Sequence, residues 1–557
     1  MIRPTPSLLR PSTPNPGLHY AYPLQPADPL RLDADVVIYG ATPSGIAAAI
    51  QVSRMGRSVL LLAFGRRIGG MTTSGLGATD VGHQGAIGGI SREFYERVGL
   101  HYGQSVSWRF EPSVAERVLS EMLDDAGVRV LFEQRLIRVQ SEAKRLVALE
   151  TEGGHRVTGR VFIDAGYEGD LMAAAGVPYT VGREPNSRYR ETLNGVHFGH
   201  PGHNFKAWVD PYRTPRDPDS GLLPGVTAEV PGVNGDGDEA IQAYNFRVCL
   251  TNQPSNQRPF PRPRGYDPAR HELLLRYIEA GVWDALYLTL PVPHHKTDTN
   301  NFGAVSSDHI GANHRWPDGS YAERERIFQE HVAYNQGLYY FLANDPRVPA
   351  SIRDELAAWG LPLDEFEETG GWPHELYIRE SRRMLADVVM TEHHCRKFDR
   401  SEDSIGLAAY TMDSHNCRRL VIDGRVYNEG NVEVPPSSPY EISYRAIVPP
   451  RGHCANLLVP WCLSASHIAF GSIRMEPVGM VLGQSAGAAA CLSIELGVDI
   501  QAVPYDELAD CLTSNHQVLT WSQEPVSTGI NQWVEQPADR TSVMTDNHSD
   551  HSAAATR

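Results

Sequence analysis

Four apolar runs punctuate the first third of the chain: "DVVIYG" at 35–40, "SVLLLAF" at 58–64, "VRVLFE" at 128–133 and "RVFIDAG" at 160–166. Between them lie "SGIAAAIQVSRMG" (44–56) and "EPSVAERVLSEMLDDAG" (111–127), whose apolar residues recur at helical spacing. Strand-like runs alternating with helix-like segments predict a parallel sheet with covering helices. From about 184 to 300 the rhythm fails. "DPYRTPRDPDSGLLPGV" and "TNQPSNQRPFPRPRGYDP" hold too much Pro and Gly for continuous helix or central strand. Helical periodicity returns at 321–345 and 375–392. A strand–loop–helix then reappears in "NLLVPWCLSASHIAFGSIRMEPVGMVLGQSAGAAACLSIELG" (456–497).

No internal repeat is present. Residues 1–32 are Pro-rich and read as an extended arm, and the small, polar stretch 525–557 reads as a disordered tail. The rest divides into one α/β unit in two pieces, 33–183 and 445–515, and an inserted mixed unit, 184–444, with a helical part at 320–395.

Composition narrows the class. With 41% apolar and 21% charged residues, the chain can bury a large core. A net charge of -17, from 67 acids and 50 bases, excludes a phosphate-binding surface for nucleic acid and disfavours an anionic membrane. The apolar run at 480–494 falls short of the roughly 20 residues that a membrane helix needs. The start lacks the apolar core of a secretory signal. Seven cysteines, an odd number without CxxC spacing, fit a reducing compartment, so a cytoplasmic protein is expected.

The first candidate chemistry is the turn "GATPSG" between the first strand and its helix. Gly40 permits the bend, and Gly45 lets the helix approach the strand. The free N–H groups of the helix start then point at a pyrophosphate. Pro43 suits the first turn, Ser44 follows it, and the small Thr42 offers a hydroxyl to a phosphate oxygen. The spacing is that of a dinucleotide-binding βαβ unit with two departures: Thr42 replaces the middle glycine, and Ala63 replaces the acid that holds the ribose. Arg66 and Arg67 leave open an NADP-type site in which arginine meets a 2′-phosphate.

"GATPSGIAAAI", "GGMTTSGLGATD", "VFIDAGYEGDLMAAAGV" and "LSASHIAFGSIRMEPVGMVLGQSAGAAA", in that order, resemble the FAD-dependent oxidoreductase family, its branch often labelled xanthan-lyase-like. The resemblance covers residues 33–515. It implies a glutathione-reductase-type FAD-binding Rossmann domain in discontinuous segments with an inserted α+β substrate domain. It places the pyrophosphate on the Gly40–Gly45 turn, and Gly69, Gly70, Met71 and Thr72 beside the ribityl chain and flavin. Asp164, Ala165, Gly166, Gly169 and Asp170 match the second flavin strand, while Gly483 and Gln484 fall in a closing helix whose start, Glu476 and Pro477, aims at the flavin.

Around that cofactor His467 is the first candidate base, able as neutral imidazole to take a proton while hydride leaves the substrate. Shaping its loop is its bland alternative. Arg474 and Glu476 either bind a substrate hydroxyl or carboxylate, or pair with each other. Arg379 and Arg382, on one face of the predicted helix, either anchor an anion or complement Glu375 and Glu380. Asp413 and His415 share a face if extended and form a carboxylate-tuned base; otherwise, with Asn416 and Cys417, they shape turns. His393, His394 and Cys395 lack the spacing of a metal site, and none is expected. Trp372, His374, Asn300, Asn301, Asp308, His309 and Trp316 suit a polyhydroxylated ligand such as a sugar. The expectation is an FAD enzyme that oxidises a C–H bond of a small polar alcohol or amine. The alternatives are a flavin monooxygenase, an NAD(P)H-coupled reductase and a non-catalytic binding scaffold; polysaccharide cleavage needs no flavin.

Overall fold

The computed structural model describes residues 17–24, 28–287 and 290–522. The expected tail, 525–557, lies outside them, as do residues 1–16 and 25–27 of the arm. Arg31 and Leu32, assigned to the arm, are instead the first residues of a strand.

Strands β1 (Arg31–Tyr39), β2 (Val59–Leu62), β3 (Arg129–Leu131), β4 (Leu136–Glu142), β5 (Arg145–Thr151), β6 (Arg156–Asp164) and β7 (Leu457–Leu458) form one sheet. Its order is β3-β2-β1-β6-β5-β4, with β7 added to β6. The β3-β2-β1-β6 ladder and the β6–β7 pair are parallel; β5 and β4 continue antiparallel. Val36, Val37 and Ile38 are fully buried, which explains a central strand without polar alternation. Because β7 pairs Leu457 with Phe162 and Leu458 with Ile163, a segment nearly 300 positions away in sequence completes the sheet.

Two helices pack lengthwise on this sheet: α1 (Pro43–Arg54) and, after α2 (Pro112–Asp125), α3 (Tyr321–Asn344) and α4 (His467–Ile473), the long α5 (Glu476–Leu496). On α5, Gly479, Gly483 and Gly487 recur at i,i+4 and form a stripe against Ser44 and Ala48 of α1. A Cβ on Gly483 would overlap the Ser44 carbonyl. Gly483→Ala is therefore expected to push the helices apart, costing about 1–3 kcal/mol and lowering the thermal midpoint. A melt matching the parent protein would show that this stripe is not a tight contact. Among the described residues α5 alone is long and apolar enough to cross a membrane, with 21 residues and an 18-residue window of mean hydropathy 1.3 that is wholly buried in the protein. The run at 480–494 thus understates the helix.

The 184–444 stretch is mixed. Val248–Thr251 pairs with Lys296–Asn301, Arg418–Ile422 with Arg425–Glu429, and α3 is the helix expected near 321–345. The helix expected at 375–392 does not form; the chain runs extended with a short strand at Arg383–Met384. The reason is visible in its charges. Arg379, Glu380, Arg382 and Arg383 are all buried, and each meets partners on different elements. Burying ions requires an individual partner for each, and an extended backbone can aim them separately.

Candidate cofactor and substrate sites

β1 ends at Tyr39, and Gly40 (φ +105) turns the chain into α1. A Cβ on Gly40 would overlap the Gly166 nitrogen, and one on Gly45 the Gly40 carbonyl, so only glycine fits this close approach. Thr42 caps α1: its hydroxyl accepts from Gly45 N–H at 3.3 Å and donates to the Ala165 carbonyl at 2.7 Å. That hydroxyl is spent inside the protein, not offered to a phosphate. Pro43 sits in the first turn, and the buried Ser44 hydroxyl has no protein partner.

The second turn starts at Gly69 (φ +85) and Gly70 (φ +48). Met71 N–H donates to the Tyr167 hydroxyl at 2.9 Å, and that hydroxyl donates to Glu476 at 2.8 Å. One tyrosine therefore ties together segments at 69–72, 164–170 and the start of α5. Asp164 orders its own loop by accepting the N–H groups of Gly166 (3.2 Å) and Met172 (2.7 Å), and burial pushes its carboxyl up to about 7. Gly169 (φ +68) caps the short helix that follows. Glu375 N–H donates to Ser74 at 2.7 Å, which brings His374 and Glu375 alongside the glycine turn. Burial pushes Glu476 up to about 8; burial and then the Glu168 charge push Glu375 up to about 8. Both groups are thus neutral donors near pH 7.

These surroundings fit a dinucleotide with a hydroxyl-rich chain. Thr72 neighbours the Glu476 carboxyl, yet among the described residues neither its hydroxyl nor the second Glu476 oxygen has the geometry of a closed hydrogen bond. Both His374 ring nitrogens are also without partners. Each such group costs about 1–3 kcal/mol unless a ligand satisfies it. Gly483 and Gln484 do not belong to this set. Gly483 packs on α1, and Gln484 accepts from Ile90 N–H at 2.8 Å and donates to Gln51 at 3.1 Å. Arg66 and Arg67 are tied to Glu133 and to Glu116 and Glu368, so a 2′-phosphate would find both cations engaged.

Beyond the glycine turns lies a cavity of about 870 Å³. Asp80, Trp108, Arg247, Asn300, Asn301, Tyr410, Asp413 and His415 are among its lining residues. His415 Nδ1 meets Asp308 at 2.8 Å, and its Nε2 lies 3.3 Å from Asp413. Arg379 pairs with Asp308 at 2.9 Å and Arg474 with Asp413 at 3.0 Å. Arg247 Nε donates to Asp298 at 2.8 Å, a carboxylate on the neighbouring strand. Burial and Arg379 disfavour the His415 imidazolium, but Asp413 and Asp308 outweigh them and raise its pKa above the usual histidine value. Asp413 is held below the carboxylate range because His415 and Arg474 outweigh its burial.

The predicted site residues separate accordingly. His467 does not line the cavity; it is 1% exposed, with Nδ1 on Glu380 at 2.8 Å and Nε2 on the Ser414 hydroxyl at 2.9 Å. It braces Ser414, the last residue of the short strand just before His415. Arg474 and Glu476 do not pair with each other: one faces the cavity's Asp413, the other Tyr167. Arg379 joins the His415 network, whereas Arg382 binds Asp170 and Asp318, so neither complements Glu375 or Glu380; Glu380 meets Arg383 and His467 instead. Of the proposed sugar-type cluster, Asn300 and Asn301 line the cavity and Asp308 backs it; His374 lies by the glycine turn, and Trp316 and Trp372 are core. His309 stacks on Tyr334, with ring centroids 4.1 Å apart. His393 packs on the Tyr189 and Arg190 carbonyls, and His394 caps its own short helix. Among the described residues no group of three His, Cys, Asp or Glu gathers as a metal site.

Two glycine turns, unsatisfied polar groups beside them and a cavity with charged and amide groups in its wall define a dinucleotide-dependent α/β protein. The chain belongs to the FAD-dependent oxidoreductase family, described as FAD dependent oxidoreductase and matched over residues 35–512, and FAD is its cofactor. It is 28% identical over 239 residues to the menaquinone reductases of two Mycobacterium tuberculosis strains, CDC 1551 / Oshkosh and ATCC 25618 / H37Rv. That match takes in 38% of this chain and 55% of theirs, so the chain spans about half the length of these relatives. Among solved structures it is similar to a 3-ketosteroid-Δ4-(5α)-dehydrogenase from Rhodococcus jostii RHA1 (17% identity, 27% of this chain and 53% of that one, TM-score 0.18). It is also similar to an L-proline dehydrogenase from P. horikoshii (13% identity, 28% and 59%, TM-score 0.23).

Proposed function

We propose that the protein oxidises a C–H bond of a small polar alcohol or amine in a cavity lined jointly by the 184–444 segment and by residues 78–109 of a glutathione-reductase-type FAD fold. Bound FAD supplies the hydride acceptor. The carrying observation is the charge balance behind the cavity. Arg247, Arg379 and Arg474 face Asp80, Asp298, Asp308 and Asp413, three cations against four anions. A proton on His415 neutralises the set, so the field favours the His415–Asp413 pair, 3.3 Å apart in the cavity wall, as the acceptor of a substrate O–H or N–H proton. Asp80, Asp413 and Glu433 line the cavity with Asn300, Asn301 and Asn431. Arg109, Arg247 and His415 share that lining, so the wall offers both hydrogen-bond donors and acceptors to hydroxyl and amine groups.

The test is an anaerobic panel of polyols, amino alcohols, amines, hydroxy acids and NAD(P)H, followed by flavin absorbance. Polyols or amines are expected to bleach the yellow protein, and acids and nicotinamides to leave it oxidised. Bleaching by NAD(P)H alone would remove the alcohol or amine reading. Reoxidation by oxygen is then compared with reoxidation by a naphthoquinone, the acceptor class suggested by the relatives' description.

A further inference from the structure

The position that should carry the ribose-binding acid is Ala63, whose side chain is buried. Next to it, Phe64 meets the ring of Tyr20 from the N-terminal segment, with centroids 4.6 Å apart. The Tyr20 hydroxyl donates to Glu168 at 3.3 Å, at the carboxyl end of β6. One tyrosine therefore spans from the end of β2 to a half-buried carboxyl that, among the described residues, no cation pairs with directly. Burial raises the pKa of that carboxyl despite the nearby Arg324. The segment itself is held in place. Glu325 accepts the backbone N–H groups of Tyr20 and Ala21, each at 2.9 Å, and meets the His19 ring at 2.8 Å. Gln329 donates to the Leu18 carbonyl (2.7 Å) and Arg135 to the Tyr22 carbonyl (2.8 Å). Arg66 lies 4.3 Å over the Tyr22 ring.

We infer that Glu168 takes over the ribose contact that Ala63 cannot make, and that Tyr20 closes the adenosine end of the FAD site as a clasp. The location follows from the sheet: in open α/β folds the nucleotide lies beyond the carboxyl ends of the strands, with its ribose at the end of the second. The segment around Tyr20 crosses that edge, and five anchoring contacts from Glu325, Gln329 and Arg135 keep it ordered. The inference rests on FAD alone and is independent of the substrate reading.

Release of FAD on dilution, read by recovery of flavin fluorescence, tests it together with ADP binding to the apoprotein. Tyr20→Ala and Glu168→Ala are each expected to speed FAD release by at least about tenfold and to weaken ADP in the same proportion. Glu325→Ala, which touches only the clasp, is expected to speed release as well. The flavin absorption band stays unchanged throughout, because the isoalloxazine is at the other end. Release and ADP affinity within twofold of the parent in Tyr20→Ala and Glu168→Ala overturn the inference, as does faster release with ADP unaffected. Should Tyr20→Ala not fold, Tyr20→Phe keeps the ring, loses the bond to Glu168 and is read in the same two assays.

Discussion

Replacing His415 by Gln leaves a yellow protein and lowers kcat/KM by about 10²–10⁴-fold, the range for loss of a positioned proton acceptor. Colour survives because His415 lines the cavity and not the glycine turns. The pH profile carries the sharper signature. An acceptor works from its neutral form, so parent activity rises with pH through the His415 pKa. Asp413 and Asp308 set that pKa above the ordinary value near 6.5. In His415→Gln the rising limb is gone. His467→Gln is the control. It breaks bonds to Glu380 and Ser414 and costs stability, but the limb remains because no His467 nitrogen faces the cavity. A limb that persists in His415→Gln and vanishes in His467→Gln would return the role to the first candidate base.

The two histidines show where sequence stops being legible. Near-continuous apolar runs and glycine bends revealed the parallel sheet, both glycine turns and the closing helix, since each is written in a short window. The placement of His467 was not so written. Its neighbours "LSAS" and "IAFGS" look like a loop at a flavin, yet its ring is consumed by Glu380, a residue 87 positions away. The same holds for Arg379 and Arg382. Their i,i+3 spacing reads as one helical face, but buried partners at Asp308 and Asp170 pull them apart on an extended chain. Arg247 carried a local signal that went unused: a cation inside the apolar run "AYNFRVCL", which only a buried carboxylate can stabilise. That carboxylate, Asp298, comes from the next strand of the ladder, where it faces Cys249. The missing acid at Ala63 was visible from the start; its proposed stand-in, in the loop after another strand, was not.

Asp308→Asn is the second large effect, and it acts on stability and pH together. Asp308 is 3% exposed and lies between Arg379 and His415. Removing its charge leaves Arg379 buried without its carboxylate, which is expected to cost about 3–5 kcal/mol. The sign for pH follows from His415. Its folded pKa is raised, so the stability it contributes is complete below the unfolded value near 6.5 and is lost as pH rises through the folded value. Without Asp308 the raise shrinks, the folded and unfolded values converge, and this slope of stability against pH flattens. The activity limb moves the same way, to lower pH, because a weaker field holds the His415 proton less tightly. Urea midpoints taken across pH 5.5–9, beside the kinetic profile, read both shifts on one protein. A destabilised variant whose limb does not move would detach Asp308 from the titration of His415 and leave it as a partner of Arg379 alone.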